Sequence, residues 1–216
     1  MNTSSAIGVF GGTFDPIHIG HLRLACAFRD ELGLHEVRLI PTGEPPHRQR
    51  PYLPATVRLA LVQAAVRDHT GLVADEREVR RHGYCYTVDT LREIRQQIGP
   101  TRPLYLLIGG DSLLHLHTWR EWQQLFALAH LVVATRPGFA MADLAPEVQH
   151  FWQTRQADDF AKQSAAGTIR TLSLAPLDVS ATQIRAKLQA NEDVSALLPP
   201  AVREPLMTYL HCKKTQ

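Results

Sequence analysis

Residues 7–21 constrain this chain more than any other stretch. A short apolar run, Ile7-Gly8-Val9-Phe10, ends in Gly11-Gly12-Thr13-Phe14-Asp15-Pro16. His18-Ile19-Gly20-His21 then opens a segment in which Leu22, Leu24, Ala25, Ala27, Phe28 and Leu32 recur at helical spacing up to Gly33. The pattern predicts a strand, a glycine loop and a helix. Paired glycines let the backbone turn sharply and approach a ligand closely, while a helix start offers unpaired N–H groups and a positive dipole end. Such a place suits a phosphate. His18 and His21 are three residues apart, so at the start of a helix their rings share a face and reach one anionic group. Gly20 leaves out a side chain that would crowd that approach. A bare His-x-Gly-His also fits polar histidines on a capped helix, so the surrounding chain has to decide.

Beyond this segment, strand-like and helix-like stretches alternate. Residues 37–40 read as a second buried strand. The 41–54 segment holds five of the 14 prolines (Pro41, Pro45, Pro46, Pro51, Pro54), which predicts a long exposed loop of the kind that usually carries function. A helix over 55–68, a strand at 72–74, and an amphipathic helix over 88–98 closed by Gly99-Pro100 follow. Next come a strand at 104–108, a helical stretch to about 129 and a strand at 131–134. Residues 139–167 are mixed, helical at first and then loop. A last strand at 169–174 precedes two closing helices, 180–190 and 201–211. The alternation predicts an α/β fold, a Rossmann-like doubly wound parallel sheet whose ligand crevice lies beyond the strand ends where strands one and four separate. At 216 residues, against roughly 150 per domain, the chain is expected to be one domain over 1–216, with a helical C-terminal part over about 178–216.

Composition removes several function classes. Lys and Arg number 23 against 21 Asp and Glu, a formal charge of +2 spread along the chain, so bulk electrostatic binding to nucleic acid is not expected. The apolar runs are far shorter than the ~20 residues a membrane-spanning helix needs. No secretory signal pattern opens the sequence, so a cytoplasmic protein is expected. Cys26, Cys85 and Cys212 are widely separated with no Cys-x-x-Cys pair, which argues for reduced thiols rather than disulfides or zinc.

All nine fixed positions of Gly-Gly-Thr-Phe-Asp-Pro-x-His-x-Gly-His are filled. In this the chain resembles the HxGH nucleotidyltransferase superfamily, and within it the bacterial nicotinate-nucleotide adenylyltransferases. Further segments agree in family order. Pro45-Pro46-His47-Arg48 resembles the family's loop after the second strand, with Thr42 and His47 implied near the mononucleotide. Tyr84-Cys85-Tyr86-Thr87 resembles a Ser-Tyr-Thr segment whose N–H groups hold the nicotinate carboxylate. Cys85 stands in place of the serine, and Thr87 is also a helix cap candidate. Ile108-Gly109-Gly110-Asp111-Ser112 resembles the Gly-x-Asp-Ser turn beside the adenosine ribose, although Asp111 could also simply cap the next helix. Thr118-Trp119-Arg120 resembles a Thr-Trp-aromatic segment in which the tryptophan stacks on the pyridine ring. Arg120 replaces the aromatic residue there, and Arg136 falls where it would face the substrate. Val179-Ser180-Ala181-Thr182-Gln183-Ile184-Arg185 matches the Ile-Ser-x-Thr-x-Ile-Arg signature and is locally a capping box.

The resemblance implies adenylyl transfer from ATP to nicotinate mononucleotide, giving nicotinate adenine dinucleotide (deamido-NAD) and pyrophosphate in NAD biosynthesis. It gives His18, His21 and Arg185 the catalytic roles. Gly11, Gly12, Thr13, Phe14, Gly109, Asp111, Ser180 and Thr182 fall to ATP, and Thr42, His47, Tyr86, Thr87, Trp119, Arg120 and Arg136 to the mononucleotide. Mg2+ is expected to bind through phosphate oxygens and water, with no protein metal ligands. Nicotinamide mononucleotide as the acceptor, or a nucleotide sensor without turnover, are the alternatives; the oligomeric state is open. His115, His117 and His130 match no motif, and no acidic or cysteine partner at ligand spacing makes a metal site of them.

Overall fold

The computed structural model of the chain describes residues 6–44, 50–135, 141–157, 164–173, 175 and 177–214. Six strands form one parallel sheet in the order β3-β2-β1-β4-β5-β6. They are β1 (Ile7–Gly12), β2 (Glu36–Pro41), β3 (Leu72–Ala74), β4 (Leu104–Gly109), β5 (His130–Thr135) and β6 (Ile169–Ser173). The order reverses direction between β1 and β4, so the crevice predicted for a doubly wound sheet opens there.

Side-chain alternation along the strands explains why both faces are covered. Phe10, Leu39, Leu107 and Val132 point to one face, with α1 (Ile19–Leu32) and α2 (Ala55–Val66). Ile7, Val9, Leu106 and Val133 point to the other, with α4 (Thr87–Ile98), after the single turn α3 (Arg77–Arg80). Registers such as Phe10 against Leu39 on one side and Leu107 on the other keep each apolar row continuous. Gly8 is required by packing: a Cβ there would lie 2.6 Å from the Phe28 ring and 2.8 Å from Leu34, so α1 could not rest on β1. Gly33 stops α1 in the left-handed conformation, φ 57°, as a C-terminal glycine should.

The predicted single helical stretch between β4 and β5 is instead broken. It comprises α5 (Gly110–Leu114), 3-10 turns at Leu116–Thr118 and Trp122–Gln124, and α6 (Leu125–Leu128). Thr118 Oγ1 donates to the His115 carbonyl at 2.7 Å, and Glu121 sits at φ 49°. Local side-chain and backbone demands thus interrupt the helix where Trp119 reaches the crevice. After β5 come α7 (Pro146–Arg155) and β6, then α8 (Ala181–Gln189) and α9 (Pro200–Lys214), which pack on the α1–α2 face.

Candidate active site

A cleft of about 340 Å³ lies at the β1/β4 separation. It brings together Gly11, Gly12 and Thr13 from the end of β1, Thr42 after β2, Tyr86 and Thr87 at the start of α4, and Trp119 and Arg120. Residues far apart in sequence therefore meet in one cleft, whereas Phe14, Gly109, Asp111, Ser180 and Thr182 are not among its lining residues. Gly11 faces open space where a Cβ would go, whereas a Cβ on Gly12 would lie 3.1 Å from the Phe14 ring. One glycine leaves room for a ligand and the other lets Phe14, at φ 49°, fold back beneath the loop.

Phe14 links this cleft to the histidine pair. Its ring packs edge-on against His21, centroids 5.0 Å apart, and His21 stacks on His18 at 3.7 Å with 22° between the planes. His18 is the N-cap of α1 and His21 its third helical residue, so the rings do share a face. His21 Nδ1 accepts the His18 backbone N–H at 3.2 Å. That bond leaves the proton of a neutral His21 on Nε2, where it can be donated to a ligand oxygen. Burial lowers the His18 imidazole from 6.5 to about 4. It lowers His21 well below its ordinary value too, with the neighbouring His18 adding a smaller push in the same direction. Both rings are thus neutral donors near pH 7 rather than cations. His18 Nδ1 is buried over Gly20 without a hydrogen-bond partner among the described residues. Gly20 matters here through packing. A Cβ there would sit 2.8 Å from Val179 and 3.1 Å from His18 Nδ1, so the crowding it avoids is with the α8 approach and the ring itself.

Arg185 reaches the same neighbourhood from α8. Its guanidinium donates to the Asp15 carbonyl at 2.8 Å and to Thr182 Oγ1 at 3.1 Å. Ser180 caps α8 by accepting the Gln183 N–H at 3.1 Å, as the capping-box pattern predicted. Asp15 is buried, and its carboxylate accepts the N–H groups of Tyr52 and Leu53 at 2.7 and 2.8 Å, which ties the returning loop to the first motif.

The α4 start corrects one expectation. Thr87 is the first helical residue and makes no side-chain cap; Tyr86 holds the cap position, and its carbonyl accepts from Asp89 and Thr90. The helix begins one residue earlier than a threonine cap would place it, which sets the free first-turn N–H groups at the cleft wall. Asp111 likewise caps nothing, since Gly109 is the N-cap of α5 and Asp111 is an exposed first-turn residue. Arg120 lies over the Tyr86 ring at 4.7 Å and within 4.0 Å of Asp89. Its flat guanidinium thereby covers one face of the Tyr86 ring. The Cys85 thiol turns inward and donates to the Glu78 carbonyl at 3.4 Å. His47 and Arg136 lie outside the described residues.

Two groups at the site were not anticipated. Glu78 lines the cleft, its carboxyl buried and pushed up by desolvation, and it accepts the Thr90 hydroxyl at 2.6 Å. Arg58, on α2, is buried behind the loops. Of the histidines outside the motifs, His130 has a structural place, stacking on Tyr105 at 4.8 Å and sharing a 2.7 Å hydrogen bond with Thr168, whereas the exposed His115 lines the cleft. Among the described residues no group of three or more His, Cys, Asp or Glu could hold a metal ion.

Comparison with known proteins decides the family. A cytidylyltransferase-like family model matches residues 9–187. The chain is 54% identical over 92% of its length to a "Probable nicotinate-nucleotide adenylyltransferase" of Chromobacterium violaceum, covering 94% of that protein. It is 53% identical over 95% of its length to the protein of the same name from Laribacter hongkongensis, covering 92% of it. The chain belongs to the nicotinate-nucleotide adenylyltransferase family. The fold agrees: a Plasmodium falciparum nicotinic acid mononucleotide adenylyltransferase complexed with NaAD superposes with a TM-score of 0.71 at 14% identity, covering 95% of this chain and 96% of that one. As a family member the chain is a nucleotidyltransferase with the Rossmann-like α/β fold. Among the described residues no helix is long and apolar enough to cross a membrane.

Proposed function

We propose that this chain transfers the adenylyl group of ATP to nicotinate mononucleotide, forming nicotinate adenine dinucleotide and releasing pyrophosphate. The observation that carries the reading is the adjacency of two sites, joined by the buried Phe14 ring beneath Gly12. A helix start with two stacked neutral histidines adjoins, through Phe14, a cleft walled by the α4 N-terminus, Trp119 and Arg120.

No protein nucleophile is needed. A phosphate oxygen of the mononucleotide attacks the α-phosphorus of ATP in line and the bond to the β-phosphate oxygen breaks, so pyrophosphate leaves with that oxygen. The protein contributes positioning and charge stabilisation. His21 donates from Nε2 to the α-phosphate and His18 donates beside it. Thr182 and Arg185 engage the departing β,γ end, which requires Arg185 to exchange one of its present acceptors for a phosphate oxygen. Gly11, Gly12, Thr13 and Phe14 admit the nucleotide along the loop, with Gly109, Asp111 and Ser180 at its periphery.

On the acceptor side, Trp119 stacks on the pyridine ring, while Tyr86, Thr87 and Arg120 present N–H groups to the carboxylate. N–H donors aimed at a carboxylate are all satisfied by its two acceptor oxygens, whereas an amide turns its own NH2 toward one or more of them; nicotinamide is thereby disfavoured. Enzymes of this kind use a divalent metal. We assign it as Mg2+ carried in on the ATP phosphates, which fits a site whose donors are imidazoles, hydroxyls and a guanidinium rather than paired carboxylates.

Purified chain with ATP, Mg2+ and nicotinate mononucleotide should form one dinucleotide per pyrophosphate, followed by chromatography. ATP binding with no product would return the chain to the sensor alternative.

A further inference from the structure

Arg58 is 1% exposed, and among the described residues its guanidinium makes no hydrogen bond to a carboxylate, although the Asp15 and Glu78 carboxylates act on its charge from nearby. Instead it donates to backbone carbonyls of two loops, the one after β1 and both ends of the one between β2 and α2. Nη1 donates to Thr13 at 2.6 Å, Nη2 to Thr42 at 2.6 Å and Gly43 at 3.3 Å, and Nε to Leu53 at 3.1 Å. Thr13 and Thr42 line the cleft from its other side, and they belong to the loops assigned above to ATP and to the mononucleotide. The 52–53 segment is also held from the opposite direction by the Asp15 carboxylate. Burying a cation is expensive, and an apolar residue would fill this core position at lower cost. What an apolar residue cannot do is orient carbonyls.

A trans peptide is planar, so a carbonyl turned toward Arg58 turns the N–H of the same peptide away from it. Holding the Thr13 carbonyl inward therefore directs the Phe14 N–H outward, and holding the Thr42 carbonyl inward does the same for the Gly43 N–H. We propose that Arg58 is a positioning residue that sets both substrate loops at once, fixing the Thr13–Phe14 and Thr42–Gly43 peptides so that their N–H groups face the two substrates. The inference rests on the adenylyl-transfer reading and adds to it that the two substrate subsites share one mechanical anchor. Only a planar fork with several fixed donors reaches carbonyls at three separated places on the two loops; an ammonium group cannot span them.

Arg58→Lys keeps the charge and loses the fork. With fold and melting temperature checked by circular dichroism, Arg58→Lys is expected to bind ATP and nicotinate mononucleotide each at least 10-fold more weakly by calorimetry. Its kcat is expected to fall about 100-fold, since a misplaced site loses transition-state contacts as well. Val62→Ala, in the same helix and fully buried but remote from the carbonyls, removes core packing without touching them and is expected to keep both affinities and kcat. A folded Arg58→Lys with wild-type affinities, with loss for one ligand only, or with losses matched by Val62→Ala would overturn the proposal. If Arg58→Lys does not fold, the wild-type chain still decides. The amide resonances of Phe14 and Gly43 and the Nε–H resonance of Arg58 should shift on titration with ATP and again with the mononucleotide, and silence at all three would refute the anchor. A wild-type chain that forms no dinucleotide refutes the adenylyl-transfer reading instead, and the ATP affinity of Arg58→Lys and the Phe14 amide would still report on the anchor.

Discussion

Neutral, buried histidines at a helix start have a measurable cost in acid, and His18 sets its size. Burial lowers its imidazole from 6.5 to about 4, while the unfolded chain titrates near the ordinary value. Above pH 6.5 the ring is neutral in both states and contributes no pH dependence. As pH falls below 6.5 the unfolded chain takes up a proton that the folded chain refuses, so stability declines by about 1.4 kcal/mol per pH unit. The decline ends as pH passes through the folded value, by which point the loss reaches about 3 kcal/mol. Carboxylates titrate over part of the same range, so the informative quantity is a difference between variants. Urea unfolding of wild type and His18→Asn at pH 7 and pH 4 should show the wild type losing about 3 kcal/mol more than the variant over that interval. Equal losses would refute the reasoning, because they would mean that His18 is solvated enough to titrate normally. The same neutrality predicts no limb near pH 6.5 in the pH–rate profile.

Other expectations follow from single contacts. His21→Ala should lower kcat by at least 100-fold, in the range of a lost transition-state donor, while the ATP dissociation constant changes by less than about threefold. Equal losses in both would remove it from the transition state. Gly20→Ala places a Cβ 2.8 Å from Val179 and against the His18 ring, and should cost about 1–3 kcal/mol in thermal unfolding. An unchanged melting temperature would show that α8 has room to move.

Much of the fold was legible because β1, its glycine loop and α1 carry their own punctuation: an apolar run, paired glycines, and a helical period closed by Gly33. The cleft was legible for a different reason. Tyr86, Trp119 and Gly11 are read from motifs, and the sheet order brings those motifs to one edge. What escaped were features set by tertiary context. The 110–128 stretch has helical composition, but Trp119 must reach the cleft and the helix breaks around it. The four residues of α3 are too few to show a period. Thr87 is a good cap residue, and the backbone of Tyr86 took the place. Arg58 was passed over because arginine reads as surface, yet Arg58, Leu61, Val62 and Ala65 share the core-facing stripe of α2. A charged residue on that stripe was the available signal.

The most direct test of the central claim offers the purified chain ATP, Mg2+ and an equimolar mixture of nicotinate and nicotinamide mononucleotides, and measures the ratio of the two dinucleotides formed. A site that reads a carboxylate with paired N–H donors predicts a large excess of nicotinate adenine dinucleotide. Equal amounts of both products, or the nicotinamide product in excess, would contradict the account of Tyr86, Thr87 and Arg120.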